Sequence, residues 1–237
     1  MRKSLFGCSI GKAMVPKPKD AVEDCYATYE DLQRGLRMCG LESSNVVVAI
    51  DYTKSNTWTG ETSFGGKCLH DIDAEHGALN PYQTGQPCEG FAGVLARYNQ
   101  VTPTVKLSGP TNFAAVIHET IRIVKMTRRY HILVIIADGQ VTDEKGTDRA
   151  IVEASNYPIS IIMVGVGDGP WGTMCDFDDP MRRRRFNNFH FVEFSNSRSA
   201  SNPDIAFATA ALKQIPDQYV HIRKEGLLTV YPDTPAH

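Results

Sequence analysis

The sequence predicts an α/β protein whose sheet is mainly parallel. Three short apolar runs rich in β-branched residues, at 46–50, His131–Ala137 and Ile159–Gly165, are typical of strands that are buried on both faces. Segments with helical periodicity lie between them, and strands separated by helices pair in parallel through crossovers. A chain of 237 residues is long enough to bury a substantial core, so we expect a single domain whose sheet is flanked by helices.

The domain is predicted to occupy residues 26–220, between a loose N-terminal arm, 1–25, and a C-terminal tail, 221–237. Thr28 is followed three residues later by an acid, which is close to the capping-box pattern, so the first helix should begin there. Gly40 is the expected stop of this helix. The first strand then follows.

The later elements continue the alternation of strands and helices. Turn-forming residues dominate 57–87, which we predict to be mostly loop. A strand at 189–194 is predicted at an edge of the sheet. Helices are predicted at 89–98, at 112–126, within 141–157, and at 203–215.

Oxygen-bearing side chains follow the first two predicted strands. Asp51, Thr53 and Ser55 alternate directly after the first strand, so an extended chain would turn one carboxylate and two hydroxyls to the same side. Thr111 precedes a helix and Asp138 ends the second strand, and parallel sheets place ligands at such carboxyl ends. Oxygen ligands suit Mg²⁺, Mn²⁺ or Ca²⁺. The alternative interpretation is a set of capped turns without metal.

Four longer motifs resemble the copine-type von Willebrand factor A domain. They are Gly-Leu-Glu-Ser-Ser-Asn at 40–45, Ile-Asp-Tyr-Thr-Lys-Ser-Asn at 50–56, Gly-Pro-Thr-Asn-Phe-Ala at 109–114, and Ile-Ile-Met-Val-Gly-Val-Gly at 161–167. The segments 167–171 and 186–189 are most similar to the A domain of plant-type RING ubiquitin ligases. The resemblance extends from about Tyr26 to about Tyr219.

The resemblance implies a von Willebrand A-like fold and a metal-ion-dependent adhesion site. Ser55, Thr53 and Thr111 would bind the ion directly or through water, and Asp51 and Asp138 would ligate it or hold its ligands. Mg²⁺ is the expected ion, with Mn²⁺ or Ca²⁺ as alternatives. An open coordination position would accept an acidic side chain from a partner protein, which makes the domain a metal-dependent protein-binding module.

The sequence departs from the family pattern in two ways. No C2 domain fits before residue 26 and no RING cysteine pattern follows residue 219, so we do not expect calcium-dependent membrane binding, ubiquitin transfer or another enzyme activity. The second departure is internal, because the family has a helix and one or two strands after the counterpart of Tyr82, whereas 83–88 here leads directly to the next helix. We therefore expect an exposed sheet edge beside the first strand, and self-association through that edge.

Composition limits the remaining functions. A formal net charge of −2 does not suggest a nucleic-acid partner, and the four arginines at 182–185 are interpreted as a solvated loop. Six cysteines without a Cys-x-x-Cys pair indicate reduced thiols in a cytoplasmic protein. No stretch is long and apolar enough to span a membrane, and Arg2 stands where myristoylation needs glycine, so no direct membrane anchor is expected.

Two alternatives to the binding module remain. A Mg²⁺-dependent phosphohydrolase would also use Asp51 and Asp138, although Thr53 stands where such enzymes usually carry a second acid. A metal-free scaffold would keep the fold and lose the ion. A zinc site from His70 and His76 is not favoured, because neither has a Cys or His partner at a motif spacing.

Overall fold

Four strands form one parallel sheet in the part of the chain that the computed structural model describes, which is residues 28–41, 44–52, 88, 90–104, 111–139, 141–179 and 183–228. In chain order they are β1 (Asn45–Ile50), β2 (His131–Ala137), β3 (Ile159–Gly165) and β4 (Phe189–Glu193). They lie side by side in that order, and every neighbouring pair is parallel. The predicted α/β class with a parallel sheet is therefore confirmed.

The two inner strands carry the longest apolar runs. β3 is buried at every residue, and β2 is buried or half-buried throughout. β4 pairs only with β3 among the described strands, which confirms its predicted place at an edge. A strand that faces helices on both sides must be apolar at successive positions, and this is why the sequence identifies the inner strands so clearly.

β1 differs from the prediction that it is buried on both faces. Val47 and Ala49 are buried, but Val48 and Ile50 are half-buried and Val46 is 46% exposed. Within the described residues β1 has a neighbour on one side alone, which is β2. Among the described strands, an apolar sequence thus stands at an edge position, where strands usually carry charges or prolines.

Helices cover both faces of this sheet. Those in the described residues are α1 (Tyr29–Met38), α2 (Gly90–Val101), α3 (Ala114–Thr127), α4 (Glu144–Ala154), α5 (Gly172–Phe177), α6 (Pro203–Leu212) and α7 (Ile215–Lys224). α3 and α4 pack on the face that carries Val47, Leu133 and Met163. α1, α6 and α7 pack on the opposite face, which carries Ile132 and Ile162.

Helix α3 shows how an amphipathic pattern determines which side of a helix packs against the sheet. We predicted that Phe113, Val116, Ile117, Ile121 and Val124 face inward, and all five are buried. Their spacing of three and four residues puts them on one side of the helix. This packing fixes the start of the helix, and with it the residues that directly precede it.

Helix α2 confirms the short helix predicted at 89–98, although it continues to Val101 and none of its residues is buried. Of the apolar residues that it was predicted to carry, Phe91 is 82% exposed and Leu95 is 60% exposed. The end of the helix is tied to the sheet by the Tyr52 hydroxyl, which lies 2.9 Å from the Thr102 hydroxyl. The helix thus lacks, within the described residues, the tertiary packing that stabilises most protein helices.

The end of the domain contains one helix more than predicted. We expected a single helix over 203–215, but α6 and α7 replace it. The break falls beside Pro216, which has no N–H with which to continue the preceding helix. α7 then brings Ile222 into the core, so the final helix contributes to packing as well as to the chain end.

A long-range contact joins the first helix to the last. The Arg223 guanidinium donates a hydrogen bond to the Cys39 carbonyl at 2.9 Å. Gly40 follows with φ of +81°, and a Cβ there would lie 3.0 Å from the same guanidinium nitrogen. Glycine is therefore needed at this position both for the predicted helix stop and for the close approach of Arg223.

Some predicted segments lie outside the described residues. They are the arm at 1–25, the loop at 57–87 with His70 and His76, and residues 229–237 of the tail. The domain bounds of 26–220 stay a prediction. The described packing does continue past residue 220, since Leu227 is buried in the core.

Candidate metal centre

Two aspartates stand at the carboxyl ends of neighbouring strands. Asp51 directly follows β1 and Asp138 directly follows β2. The pairing of Ile50 with Ile136 continues into Asp51, whose N–H donates to the Ile136 carbonyl at 2.8 Å. Strand spacing and the rise per residue place the two aspartate Cα atoms about 6 Å apart. These two predicted ligands therefore lie at the same edge of the sheet.

Both carboxylates are withdrawn from solvent. Asp51 is 4% exposed and Asp138 is 1% exposed. Two ionised carboxylates that are buried close together repel each other and lose hydration, so such a pair needs hydrogen-bond donors or a cation nearby. A divalent cation would balance both charges at once.

Thr111 reaches the same edge of the sheet through a backbone contact. It is 7% exposed, and its carbonyl accepts a hydrogen bond from the Thr142 N–H at 2.9 Å. Thr142 lies in the loop that begins at Asp138, so this bond joins the segment before α3 to the segment after β2. The remaining two predicted ligands, Thr53 and Ser55, lie outside the described residues.

The loop after β2 is held at both ends. Val141 is buried in the core, and the Asp143 carboxylate accepts a hydrogen bond from the Gly146 N–H at 2.8 Å. Of the two caps predicted for α4, Asp143 or Thr142, the structure thus shows Asp143. A Cβ on Gly146 would lie 2.7 Å from the Asp143 carboxyl carbon, so glycine leaves the room that this cap needs. The short, capped loop restricts where Asp138 can place its carboxylate.

The described donor set contains only oxygen. Asp51 and Asp138 offer carboxylates and Thr111 offers a hydroxyl, which is the chemistry that Mg²⁺, Mn²⁺ and Ca²⁺ prefer. Among the residues that the structure describes, no group of three or more His, Cys, Asp or Glu side chains could hold a metal ion. A centre here would thus depend on hydroxyl ligands, as the sequence pattern predicts.

Tyr52 connects the end of β1 to the segment after α2. The Thr102 hydroxyl donates to the Tyr98 carbonyl at 2.7 Å, so in the contact with Thr102 the Tyr52 hydroxyl is the donor. Burial raises the pKa of Tyr52, which keeps its phenol in the protonated state that can donate. Sequence reasoning missed this residue although it lies directly beside Asp51, because its partner is far away in the chain.

The arginine run fastens loops within the chain. Arg184 donates to the Phe177 carbonyl, and Arg185 donates to the Glu225 carboxylate at 3.1 Å. Arg182, the first of the four, lies outside the described residues. The partners of Arg184 and Arg185, the last two of the run, agree with our interpretation of the run as a loop, since guanidinium groups that are paired within the chain offer less charge to a nucleic acid.

The parallel sheet, the helices on both of its faces and the aspartates at two adjacent strand ends define a von Willebrand A-like domain. A family model described as Copine matches residues 44–230. The chain therefore belongs to the copine family, whose domain is in general a protein-interaction module. The resemblance carried by the four sequence motifs is thereby confirmed.

Known relatives include animal and plant proteins. Copine family protein 2 of Caenorhabditis elegans is 43% identical over 244 residues, which cover 86% of this chain and 3% of that protein. Copine family protein 1 of the same species is 43% identical, over 84% of this chain and 22% of that protein. The E3 ubiquitin-protein ligase RGLG4 of Arabidopsis thaliana is 39% identical, over 84% of this chain and 63% of that protein. The chain thus spans less than two thirds of each of these relatives.

The alignment lengths support an internal shortening of this chain. In the alignment with Copine family protein 2, 244 positions contain 86% of the 237 residues, or about 204, so about 40 positions are filled by the relative alone. A helix and two strands with their connections take a comparable number of residues. This number agrees with the predicted loss of a helix and one or two strands, and the place predicted for that loss, after Tyr82, lies outside the described residues.

Proposed function

We propose that this chain is a metal-dependent protein-binding module. The ion would be Mg²⁺, with Mn²⁺ or Ca²⁺ as alternatives, and its ligands would be Asp51, Thr53, Ser55, Thr111 and Asp138. The observation that supports the proposal is the pair of buried carboxylates at the ends of β1 and β2, next to the segment that carries Thr111.

The charge of this ligand set determines what the centre can do. Asp51 and Asp138 together balance a divalent ion, whereas the hydroxyls of the threonine and serine ligands add no charge. An ion held in this way remains electrophilic and accepts a further oxygen ligand from outside the domain. The chain's own contribution is to hold its oxygen atoms in place at the carboxyl edge of the sheet, where ligands of parallel sheets bind.

The proposed partner is a protein that offers an acidic side chain, because a carboxylate is a hard oxygen ligand that suits such an ion. The proposal includes neither a nucleic-acid partner nor a direct membrane anchor. The proposed location is the cytoplasm, because the cysteine pattern indicates reduced thiols. In the described ranges, no helix combines the length and the apolar character that crossing a membrane requires.

Calorimetric titration with Mg²⁺ and Mn²⁺ tests the metal centre. We expect one site, and Asp51→Asn and Asp138→Asn should each weaken binding about tenfold or more, because each removes one ligand charge and keeps the side-chain shape. Asp168→Asn is the matched control, since Asp168 is an exposed carboxylate in the loop after β3, at the same edge of the sheet. Equal binding by the wild type and a double variant at 51 and 138 would refute the assignment.

A pair of substitutions tests the hydroxyl of Thr111. Thr111→Ser keeps the oxygen and should retain metal binding. Thr111→Val keeps the shape but removes the oxygen, so it should bind the metal more weakly. Equal affinities in these two variants would remove Thr111 from the ligand set.

Capture of partner proteins with and without a chelator tests the binding function. In Mg²⁺ the immobilised chain should retain proteins that EDTA releases and that Asp138→Asn fails to retain. If the same proteins are captured in EDTA and by Asp138→Asn, the result would favour the metal-free scaffold. Release of phosphate from an aryl phosphate would instead favour the phosphohydrolase alternative.

A further inference from the structure

The side chain of Asn112 fixes the turn that presents Thr111. We propose that Asn112 is a positioning residue for the metal centre, acting through the backbone that carries the Thr111 hydroxyl. This inference rests on the metal-dependent function proposed above, and it adds a residue that would touch neither the ion nor the partner.

Asn112 closes the turn between Thr111 and α3. Its Oδ1 atom accepts a hydrogen bond from the Ala114 N–H at 2.9 Å. Phe113, the residue directly before the helix, makes no capping hydrogen bond with its side chain. Asn112 therefore takes the role that asparagine and aspartate often have at helix starts, and its bond across two residues restricts the backbone torsions between them.

The same turn is held from two further sides. Phe113 is buried in the core that α3 shares with the sheet. The Thr111 carbonyl accepts a hydrogen bond from the Thr142 N–H at 2.9 Å, in the loop that begins at Asp138. Thr111 thus lies between Phe113, which is anchored in the core, and the loop that begins at Asp138, another predicted ligand. The hydrogen bond that the Asn112 side chain accepts restricts the backbone torsion angles between Thr111 and Phe113.

Loss of the Asn112 acceptor would change the geometry of the centre and leave its ligand set intact. Alanine at this position leaves the Ala114 N–H without its partner and frees the peptide planes at 112–113 to rotate. Metal–ligand distances must be kept within about 0.2 Å, so a displaced Thr111 hydroxyl binds more weakly. Residues that orient metal ligands typically change metal affinity by about 10- to 100-fold when they are replaced.

Titration with Mn²⁺ together with thermal unfolding separates positioning from general stability. Asn112→Ala should bind Mn²⁺ about tenfold more weakly than the wild type, whereas Asn112→Asp keeps the acceptor and should bind at least as tightly. Asn202→Ala is the matched control, because Asn202 caps α6 by accepting from the Ile205 N–H at 3.2 Å, on the helix that follows the opposite edge strand β4. It should lower the melting temperature and leave the Mn²⁺ affinity unchanged.

The results distinguish this inference from the function on which it rests. Wild-type affinity in Asn112→Ala, measured well below its melting temperature, would overturn the positioning role and leave the metal centre standing. Absence of Mn²⁺ binding in the wild type would overturn the proposed function, and the positioning role with it. If Asn112→Ala does not fold, Asn112→Gln moves the acceptor by one methylene, and the same tenfold loss is expected; undiminished affinity there would again overturn the positioning role.

Discussion

Gly146→Ala should stabilise the protein more when Asp143 has been removed than when Asp143 is present. Gly146 lies in the first turn of α4, and alanine within a helix is favoured over glycine by about 1 kcal/mol. In the wild type, however, the new Cβ would lie 2.7 Å from the Asp143 carboxyl carbon and closer still to one of its oxygens. The carboxylate must therefore leave its position and give up the hydrogen bond to the Gly146 N–H.

The magnitudes of these two effects decide how Gly146→Ala changes the free energy of unfolding. Loss of an aspartate cap costs about 1 kcal/mol, within a range of about 0.5–2 kcal/mol, which offsets the gain from alanine. In the wild type the net effect of Gly146→Ala on the free energy of unfolding should therefore lie between a gain of about 0.5 kcal/mol and a loss of about 1 kcal/mol, close to zero at the central values. In an Asp143→Ala background no carboxylate is displaced, so the same change should raise the free energy of unfolding by about 1 kcal/mol. The coupling between the two positions then equals the lost cap, about 0.5–2 kcal/mol.

Urea unfolding of the four proteins in this double-mutant cycle measures the coupling directly. Asp143→Asn is the matched control background, because asparagine keeps both the shape and the acceptor, and Gly146→Ala should gain as little stability beside it as in the wild type. An increase of about 1 kcal/mol for Gly146→Ala in both the wild-type and the Asp143→Ala backgrounds would refute the reasoning, since Asp143 could then not be capping α4.

Three contacts outside the metal centre give further predictions. Burial lowers the pKa of His131, so below about pH 6.5 the unfolded chain binds a proton more readily than the folded chain does. The free energy of unfolding should therefore decrease as the pH is lowered below that value, and it should decrease less steeply in His131→Gln. Tyr52→Phe deletes the hydrogen bond to Thr102 and should lower the free energy of unfolding in urea by about 1 kcal/mol, whereas no change would show that the bond is absent. Sedimentation of the wild type should show self-association, and Val46→Lys should reduce it, because a lysine on β1 hinders the pairing of this strand with another chain. A wild-type protein that stays monomeric at high concentration with the β1 edge open to solvent would contradict this prediction.

The inner strands and the long helices follow closely from local sequence. β2 and β3 match their predicted bounds residue for residue, because each is an apolar run between clear turn signals. All five residues predicted for the buried face of α3 are buried, since three- and four-residue spacing over a long segment is a strong signal, whereas the buried Ala114 and Thr120 were not predicted. α5 was missed because Gly172–Phe177 is too short to show a period, and the break between α6 and α7 was missed because a proline beside an apolar run can also begin a helix.

Contacts between distant segments are what the sequence could not supply. The apolar spacing of α2 suggests an inward face, but burial depends on elements elsewhere in the chain. The bond between Tyr52 and Thr102 joins residues that are 50 positions apart, and no periodicity encodes it. Pattern and resemblance named Asp51, Thr111 and Asp138, whereas the backbone contacts that place them at one edge of the sheet are visible only in the fold.

The contact between α1 and α7 governs when the chain can finish folding during synthesis. Leu36 of α1 packs in a cluster that includes Ile222 of α7, and the Cys39 carbonyl receives its hydrogen bond from Arg223. The 176 residues from 39 to 214 must be added to the chain between these two helices, which at about 5–20 residues per second takes about 9–35 s. Throughout that interval the part of α1 that α7 covers is exposed to chaperones and to other nascent chains. The first helix of the described residues therefore receives its last cover near the end of synthesis, and a chain that stops before Arg223 lacks the hydrogen bond that joins α7 to the end of α1.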